Sequence, residues 1–403
     1  MRLPVQNALA VLAQRIDRYA GVGGFSHLLY RIAPMLVPWV RSIAPNTRDF
    51  ADVLVIHSSD YVSPGKRRLI ECLVRRHGLN VQQYVLGSWR RMAVRRHLVL
   101  PPYPVIARFA FKAAAARYLA ERYRPKVAVI STEDTIAPFL HFEINRTGGR
   151  LINIAHSVVF TSPAFAMCDY DYYFVYGPAS LDALRKNRGR FGATRVVLTG
   201  SADLSLHNEL PCEDANNYCV TYFSTWIPRN RKAAYMRQFG EIQEFAMRHP
   251  NWQVVIRLHP LENPAYWESA AARIQNIRVV TANEPIAESI RGSCVALCPS
   301  HSTTALDAAC LGRPPIILDC EEVGARYFDM YPALKRRPEE SIESAIERVN
   351  RNKSSYHQLM TTFLAANLAR RAGVAEIMSD HIAAVCHGHE ISGAVVLEPS
   401  QGD

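Results

Sequence analysis

Short β-branched runs alternate with helix-patterned stretches along almost the whole chain, and that alternation constrains the fold most tightly. Strands that alternate with helices build βαβ units and parallel sheets. In the first half, strands are expected at 52–57, 81–86, 127–131, 151–155, 172–176 and 196–199. Helices are expected among them at 65–77, 105–123 and 136–146. The second half repeats the pattern, with strands at 218–223, 253–258, 277–280, 294–298 and 315–318. Its helices are expected at 231–248, 264–274, 286–290, 304–311 and 340–349, followed by a long helical tail over 355–384.

A chain of 403 residues exceeds one ordinary core, so two domains are the natural expectation. The polar, turn-rich stretch 201–217 has no hydrophobic period and reads as the link. The expected architecture is α/β: two doubly wound Rossmann-like domains facing a cleft, covering 1–205 and 206–350. A helical segment at 1–45 would open the chain and a helical tail, 351–403, would close it.

Charge narrows the partners only partly. The net charge is +11, with much of the excess in the first 125 residues, as in Arg67, Arg68, Arg75, Arg76, Arg90 and Arg91. Such a face is either simply solvated or in contact with an anionic bilayer or an acidic substrate. A nucleic-acid partner is disfavoured, because the basic residues form no recognisable reading module with aromatic platforms. The segment around Leu28, Leu29, Tyr30, Leu36, Val37 and Trp39 either lies on a membrane surface or packs on its own domain. No stretch is long and apolar enough to span a bilayer, and the N-terminus has no signal-peptide pattern. Cys219, Cys294, Cys298 and Cys310 sit in apolar runs without CxxC pairs, as small hydrophobes in a reducing compartment do. Cys386-His387-Gly388-His389 has a metal-binding composition, but its place near the chain end makes it a poor candidate, and no metal or cofactor is expected.

Polar clusters sit where strands should end, and in parallel sheets those ends line the ligand crevice. In the first half they are Ser131-Thr132-Glu133-Asp134-Thr135 and Ala155-His156-Ser157. In the second they are Ser224-Thr225-Trp226, then Arg257-Leu258-His259-Pro260 together with Ser300-His301-Ser302-Thr303-Thr304. Arg257 and His259 alternate along a strand, so both would point to one side and favour an anion. A salt bridge to Glu262 or Asp307 is the plainer alternative. Ser302, Thr303 or Thr304 would cap the following helix, whose first turn would offer N–H groups to a phosphate. Ser224 and Thr225 either bind phosphate, with Trp226 stacked on a base or sugar, or form a capping turn. His156, Asp134 or Glu133 would supply a base for a hydroxyl nucleophile. Asp134 equally suits an N-cap, and His156 a buried structural histidine.

Several enzyme classes lack their signatures here. No Gly-x-Gly-x-x-Gly follows a first strand, which disfavours a dinucleotide cofactor. Nucleophile elbow, His-Glu-x-x-His, Walker loop and Asp-x-Asp are likewise missing.

The order of these motifs over roughly residues 125–320 resembles the bacterial CDP-glycerol glycerophosphotransferase (teichoic acid polymerase) group of GT-B transferases. It is similar, too, to capsule-type and sialyltransferase families with a His-Pro and a Ser-Ser or Ser-Thr motif. Arg257-Leu258-His259-Pro260 matches the Arg-x-His-Pro motif, Ser300–Thr304 with Asp307 and Gly312-Arg313-Pro314 the serine block, and Tyr222–Trp226 the Thr-Trp stretch. His156 matches the histidine loop and Glu133-Asp134, loosely, the acidic motif. The resemblance implies a metal-independent transfer of a glycosyl or glycerophosphoryl group. The donor would be nucleotide-activated, CMP- or CDP-linked by preference, and the acceptor a hydroxyl of a growing bacterial surface glycan such as capsule or lipopolysaccharide. It also implies a cytoplasmic, peripheral location on the inner face of the plasma membrane, with the acceptor free or lipid-linked. Two alternatives stay open. One is a non-hydrolysing nucleotide-sugar 2-epimerase, whose His-x-Glu-Ala-Gly stretch here reads His156-Ser157-Val158-Val159-Phe160. The other is a basic, non-enzymatic membrane- or nucleic-acid-binding protein.

Overall fold

The structure is a computed structural model that describes residues 49–57, 61–85, 104–132, 136–161, 165, 168–187, 192–209, 216–224, 232–260, 262–281, 283–300, 302–319 and 328–398. The chain divides into two compact units, Met1–Asp203 with Leu368–Asp403, and Leu204–Asn367.

Unit 1 begins with β1 (Val53–His57), α1 (Pro64–Arg75), β2 (Val81–Val85), α2 (Pro104–Tyr123) and β3 (Val127–Ile130). It continues through α3 (Ala137–Arg146), β4 (Arg150–Ile154), β5 (Tyr172–Val175), α4 (Pro178–Lys186) and β6 (Thr194–Leu198). Unit 2 follows with β7 (Asn216–Phe223), α5 (Lys232–Arg248), β8 (Gln253–Arg257), α6 (Pro264–Ala271) and β9 (Ile277–Val280). It ends with α7 (Ile286–Arg291), β10 (Ser293–Pro299), α8 (Thr304–Cys310), β11 (Pro315–Leu318), α9 (Ile342–Arg351) and α10 (Lys353–Asn367). The chain then returns to unit 1 as α11 (Val374–Cys386) and β12 (Val395–Leu397).

The sheet of unit 1 has the order β12-β6-β5-β4-β3-β1-β2, parallel except for the antiparallel edge strand β12. The parallel sheet of unit 2 runs β11-β10-β7-β8-β9. Helices cover both faces of such sheets, which is why the central strands are apolar without alternation. Val127–Ile130 and Pro315–Leu318 are buried at every position. Strand order reverses at β1/β3 in unit 1 and at β7/β10 in unit 2. In doubly wound sheets ligands bind at these switch points, beyond the strands' carboxyl ends.

Local sequence accounts for the covering helices. α1 starts with Pro64 in its first turn and buries Leu69 and Leu73, spaced one turn apart, against the core of β1, β3 and α11. α9 is capped by Ser341 Oγ, which accepts from Ser344 N, and buries Ile342, Ala345, Ile346 and Val349 as one stripe.

Three features differ from the sequence expectation. The closing helix is not continuous: α10 and α11 are separated at 368–373, so the last stretch is not one separate tail. Gly373 has φ +62, which a continuing right-handed helix does not allow, and Ala369 N donates to Tyr176 O of unit 1. α10 then packs Phe363 on Phe328 in unit 2, while Val374, Met378 and Ile382 of α11 join the unit 1 core. α4 and β12 were also not anticipated. The helical segment expected over 1–45 lies outside the described residues.

Candidate functional site

In unit 2 the switch point brings two predicted clusters to neighbouring strand ends. Leu297 of β10 lies opposite Tyr222 of β7, so the strands finish side by side with Ser300 and Ser224 just beyond. Ser224 N donates to Arg257 O at 2.9 Å, and Ser224 Oγ accepts from His259 N at 2.9 Å. That hydroxyl therefore ties the end of β7 to the end of β8. Ser300 N donates to Leu318 O of β11, while its Oγ is buried with no hydrogen-bond partner among the described residues. A buried hydroxyl without a partner is costly and calls for an explanation. Gln238 of α5 donates from Nε2 to Asp319 O just past β11, and among the described residues Gln238 Oε1 and Asp319 Oδ1 have no hydrogen-bond partner.

The basic pair does not form a simple anion clamp. Arg257 is only 8% exposed and donates from Nη1 to Ser289 Oγ of α7 at 3.4 Å. Ser289 in turn donates to Glu284 Oε1 at 3.1 Å, and Glu284 pairs with Arg278 at 3.2 Å. The guanidinium is thus engaged inside the unit, because α7 presents a hydroxyl to the inner face of β8. His259 is half-buried, and burial pulls its pKa below the ordinary value, with Glu262 partly opposing. A neutral imidazole at pH 7 can donate one hydrogen bond and accept another. The anticipated carboxylate partners have other bonds: Glu262 Oε2 accepts from Trp267 Nε1, and Asp307 Oδ1 lies 2.8 Å from His207 Nε2.

The predicted cap also differs in detail. Thr303 occupies the N-cap position of α8 with helical dihedrals and makes no side-chain cap bond. Ser302 Oγ takes that place, accepting from Thr304 N at 3.3 Å and lying 2.9 Å from Thr304 Oγ1. Thr225, Trp226 and His301 lie outside the described residues.

In unit 1, β3 and β4 run side by side, with Ile130 opposite Asn153. Ser131 Oγ is buried and has no hydrogen-bond partner among the described residues. Thr132 N donates to Asn153 Oδ1 at 3.2 Å, and Tyr170 Oη donates to Thr132 O at 3.5 Å. His156, which follows the buried Ala155, is exposed. Glu133 and Asp134 lie outside the described residues. Among the described residues, no three His, Cys, Asp or Glu gather to hold a metal ion. No described helix is long and apolar enough to cross a membrane.

Sequence reasoning overlooked Asn153, His207, Gln238 and Ser289. The signal for Asn153 was visible as one amide inside the apolar run Leu151-Ile152-Asn153-Ile154-Ala155. The other three meet their partners only through tertiary packing.

No family model and no curated protein sequence matches the chain. Solved structures do. The chain is similar to the UDP-N-acetylglucosamine 2-epimerase of Neisseria meningitidis bound to UDP-N-acetylglucosamine: TM-score 0.53, 13% identity, covering 81% of this chain and 98% of that one. It is similar also to Staphylococcus aureus MnaA in a structure with UDP, with TM-score 0.58, 10% identity, and coverage of 85% and 100%. The glycotransferase of kitacinnamycin matches with TM-score 0.50 at 12% identity, again over 85% and 100%. Likeness at such identities shows the fold: two Rossmann-like units of the GT-B class.

Proposed function

We propose that the chain is a nucleotide-sugar enzyme, and that it transfers a glycosyl or glycerophosphoryl group from a nucleotide-activated donor to a hydroxyl acceptor. The observation that carries this reading is the buried, unpartnered Ser300 hydroxyl at the switch point of unit 2, beside Ser224 and a neutral His259. Ser300 Oγ can donate a hydrogen bond to a phosphate oxygen at this strand end. In this scheme Ser302, Thr304 and their sequence neighbours His301, Thr225 and Trp226 complete the donor side. On the acceptor side, His156 takes the proton as the acceptor oxygen forms its bond to the anomeric carbon or to phosphorus. The nucleotide leaves with the electrons of the broken bond. Asp134 or Glu133 is the substitute base.

A 2-epimerase is the second reading, supported by structural neighbours that are themselves UDP-N-acetylglucosamine 2-epimerases. The residues around His156 lack the acidic group such an enzyme needs near the sugar, which supports transfer instead. The resemblance of motifs favours CMP- or CDP-linked donors, whereas those neighbours carry uridine nucleotides. Peripheral binding to anionic membrane through the basic, aromatic stretch around Tyr30 and Trp39 belongs to the same proposal.

A thermal-shift panel of CMP, CDP, UDP, GDP and ADP tests the nucleotide part, since a ligand that binds only the native state raises the melting point. No shift with any of them removes the reading. Turnover of a nucleotide sugar alone, giving an isomer without acceptor, selects the epimerase. His156→Ala is expected to lower turnover by roughly two to four orders of magnitude with nucleotide binding kept; full activity, with Asp134→Asn inactive, transfers the role to Asp134.

A further inference from the structure

Asn153 is fully buried in the middle of an apolar strand, between Ile152 and Ile154. Its Oδ1 accepts from Thr132 N at 3.2 Å, but its Nδ2 is buried with no partner among the described residues. Burying a carboxamide with half of its hydrogen bonds unmade is unfavourable, and a leucine of similar size would avoid it. What leucine would lose is the acceptor for Thr132 N. The other end of the same residue is held too: Tyr170, 1% exposed, donates from Oη to Thr132 O at 3.5 Å. Two buried side chains, from β4 and from the segment entering β5, therefore fix one backbone position where β3 ends. The fixed residue stands next in sequence to Glu133-Asp134, and Asn153 stands three residues before His156.

We propose that Asn153 and Tyr170 are positioning residues, which hold the Thr132 backbone just past the end of β3 in the geometry that turnover requires. The proposal rests on the nucleotide-sugar reading above. The physical claim is that local stability is given up at Asn153 for a fixed backbone position at Thr132. Removing the amide should then separate stability from activity, whereas a merely structural residue would move both together.

The test compares wild type, Asn153→Leu and Tyr170→Phe. Melting point is measured for each, and nucleotide affinity by calorimetry. kcat and KM are measured with whichever of UDP-N-acetylglucosamine, UDP-glucose, CDP-glycerol and CMP-N-acetylneuraminate the wild type consumes fastest. Asn153→Leu is expected to melt at or above the wild-type temperature and to keep its nucleotide affinity. Its kcat should fall by about ten- to a hundredfold, the scale of a small misplacement at a reacting centre. Tyr170→Phe removes one oxygen only, so it should fold and show a smaller loss in the same direction. Wild-type kcat in both variants overturns the proposal, as does a loss that tracks lowered melting. Should Asn153→Leu fail to fold, Tyr170→Phe alone decides by the same criteria. A wild type that binds no nucleotide and consumes no sugar overturns the parent reading instead, and this inference falls with it.

Discussion

His141 Nδ1 lies 2.8 Å from Asp169 Oδ1, and the same ring reaches Asp171 Oδ2 with Nε2 at 3.4 Å. One imidazole of α3 is thus clasped by two carboxylates from the segment leading into β5. Burial alone would lower the His141 pKa, but the bonds to Asp169 and Asp171 outweigh it and raise it from 6.5 to about 9. A raised folded-state pKa stabilises the fold fully below the unfolded value and loses that contribution as pH climbs through the folded one. Wild-type melting temperature should therefore fall between about pH 6.5 and pH 9, by an amount on the order of 2–3 kcal/mol of stability. His141→Gln should start lower and change less over that window. Parallel melting curves for the two proteins across the window would remove the assignment.

Gly65 should tolerate no side chain. A Cβ there would lie 2.4 Å from Ala202 C and Asp203 N. The approach is close because Asp203 Oδ1 accepts from Gly65 N at 2.8 Å and its Oδ2 from Ser63 Oγ at 2.7 Å, capping α1 from across the unit. Gly65→Ala is expected to cost several kcal/mol through backbone overlap, and Asp203→Ala about 1 kcal/mol through the lost cap. Chemical denaturation of both variants checks the order of the two effects.

Arg257 and His259 should now part company. Both were expected to point to one side of the strand and favour an anion. Because Arg257 is buried and bonded to Ser289, Arg257→Ala should destabilise the protein by about 2–4 kcal/mol as well as weaken nucleotide binding. His259→Ala should weaken binding with a much smaller change in melting point. Calorimetry and thermal denaturation on the pair separate the two roles, and equal destabilisation would refute the distinction.

Thiol chemistry offers a simple check of the second unit's core. Burial pushes Cys294 up to about 11 and Cys298 up to about 12. Neither should form thiolate at pH 8, so neither should react with a disulfide reagent until the protein is denatured. Mass mapping of labelled peptides reads this directly.

The strands were legible because a parallel sheet covered on both faces imposes continuous apolar runs, as at Val127–Ile130 and Pro315–Leu318. Strand ends were legible too, since polarity returns at Ser131, Ser224 and Ser300 where chain emerges from the core. The break between α10 and α11 was harder to see: Ala-rich sequence surrounds Gly373, and the break depends on which core each half joins. The burial of Arg257 was hidden for a related reason. Alternation predicts the face of a strand, but whether that face meets solvent or Ser289 is decided by a helix some thirty residues on. Asn153 shows the converse, where one polar residue in an apolar run already marked a tertiary tie.

The return of α11 and β12 to the first sheet has a consequence for biosynthesis. The second unit, Leu204–Asn367, leaves the ribosome as one uninterrupted stretch and can close its core at once. The first cannot, although its strands are made earlier. Leu69 and Leu73 of α1 await Met378 and Ile382, which arrive after the whole inserted unit has been synthesised. At ordinary elongation rates that delay is on the order of ten seconds. During it an apolar face stays uncovered on the nascent chain, which makes this half the natural client of a chaperone and the half most exposed to premature termination.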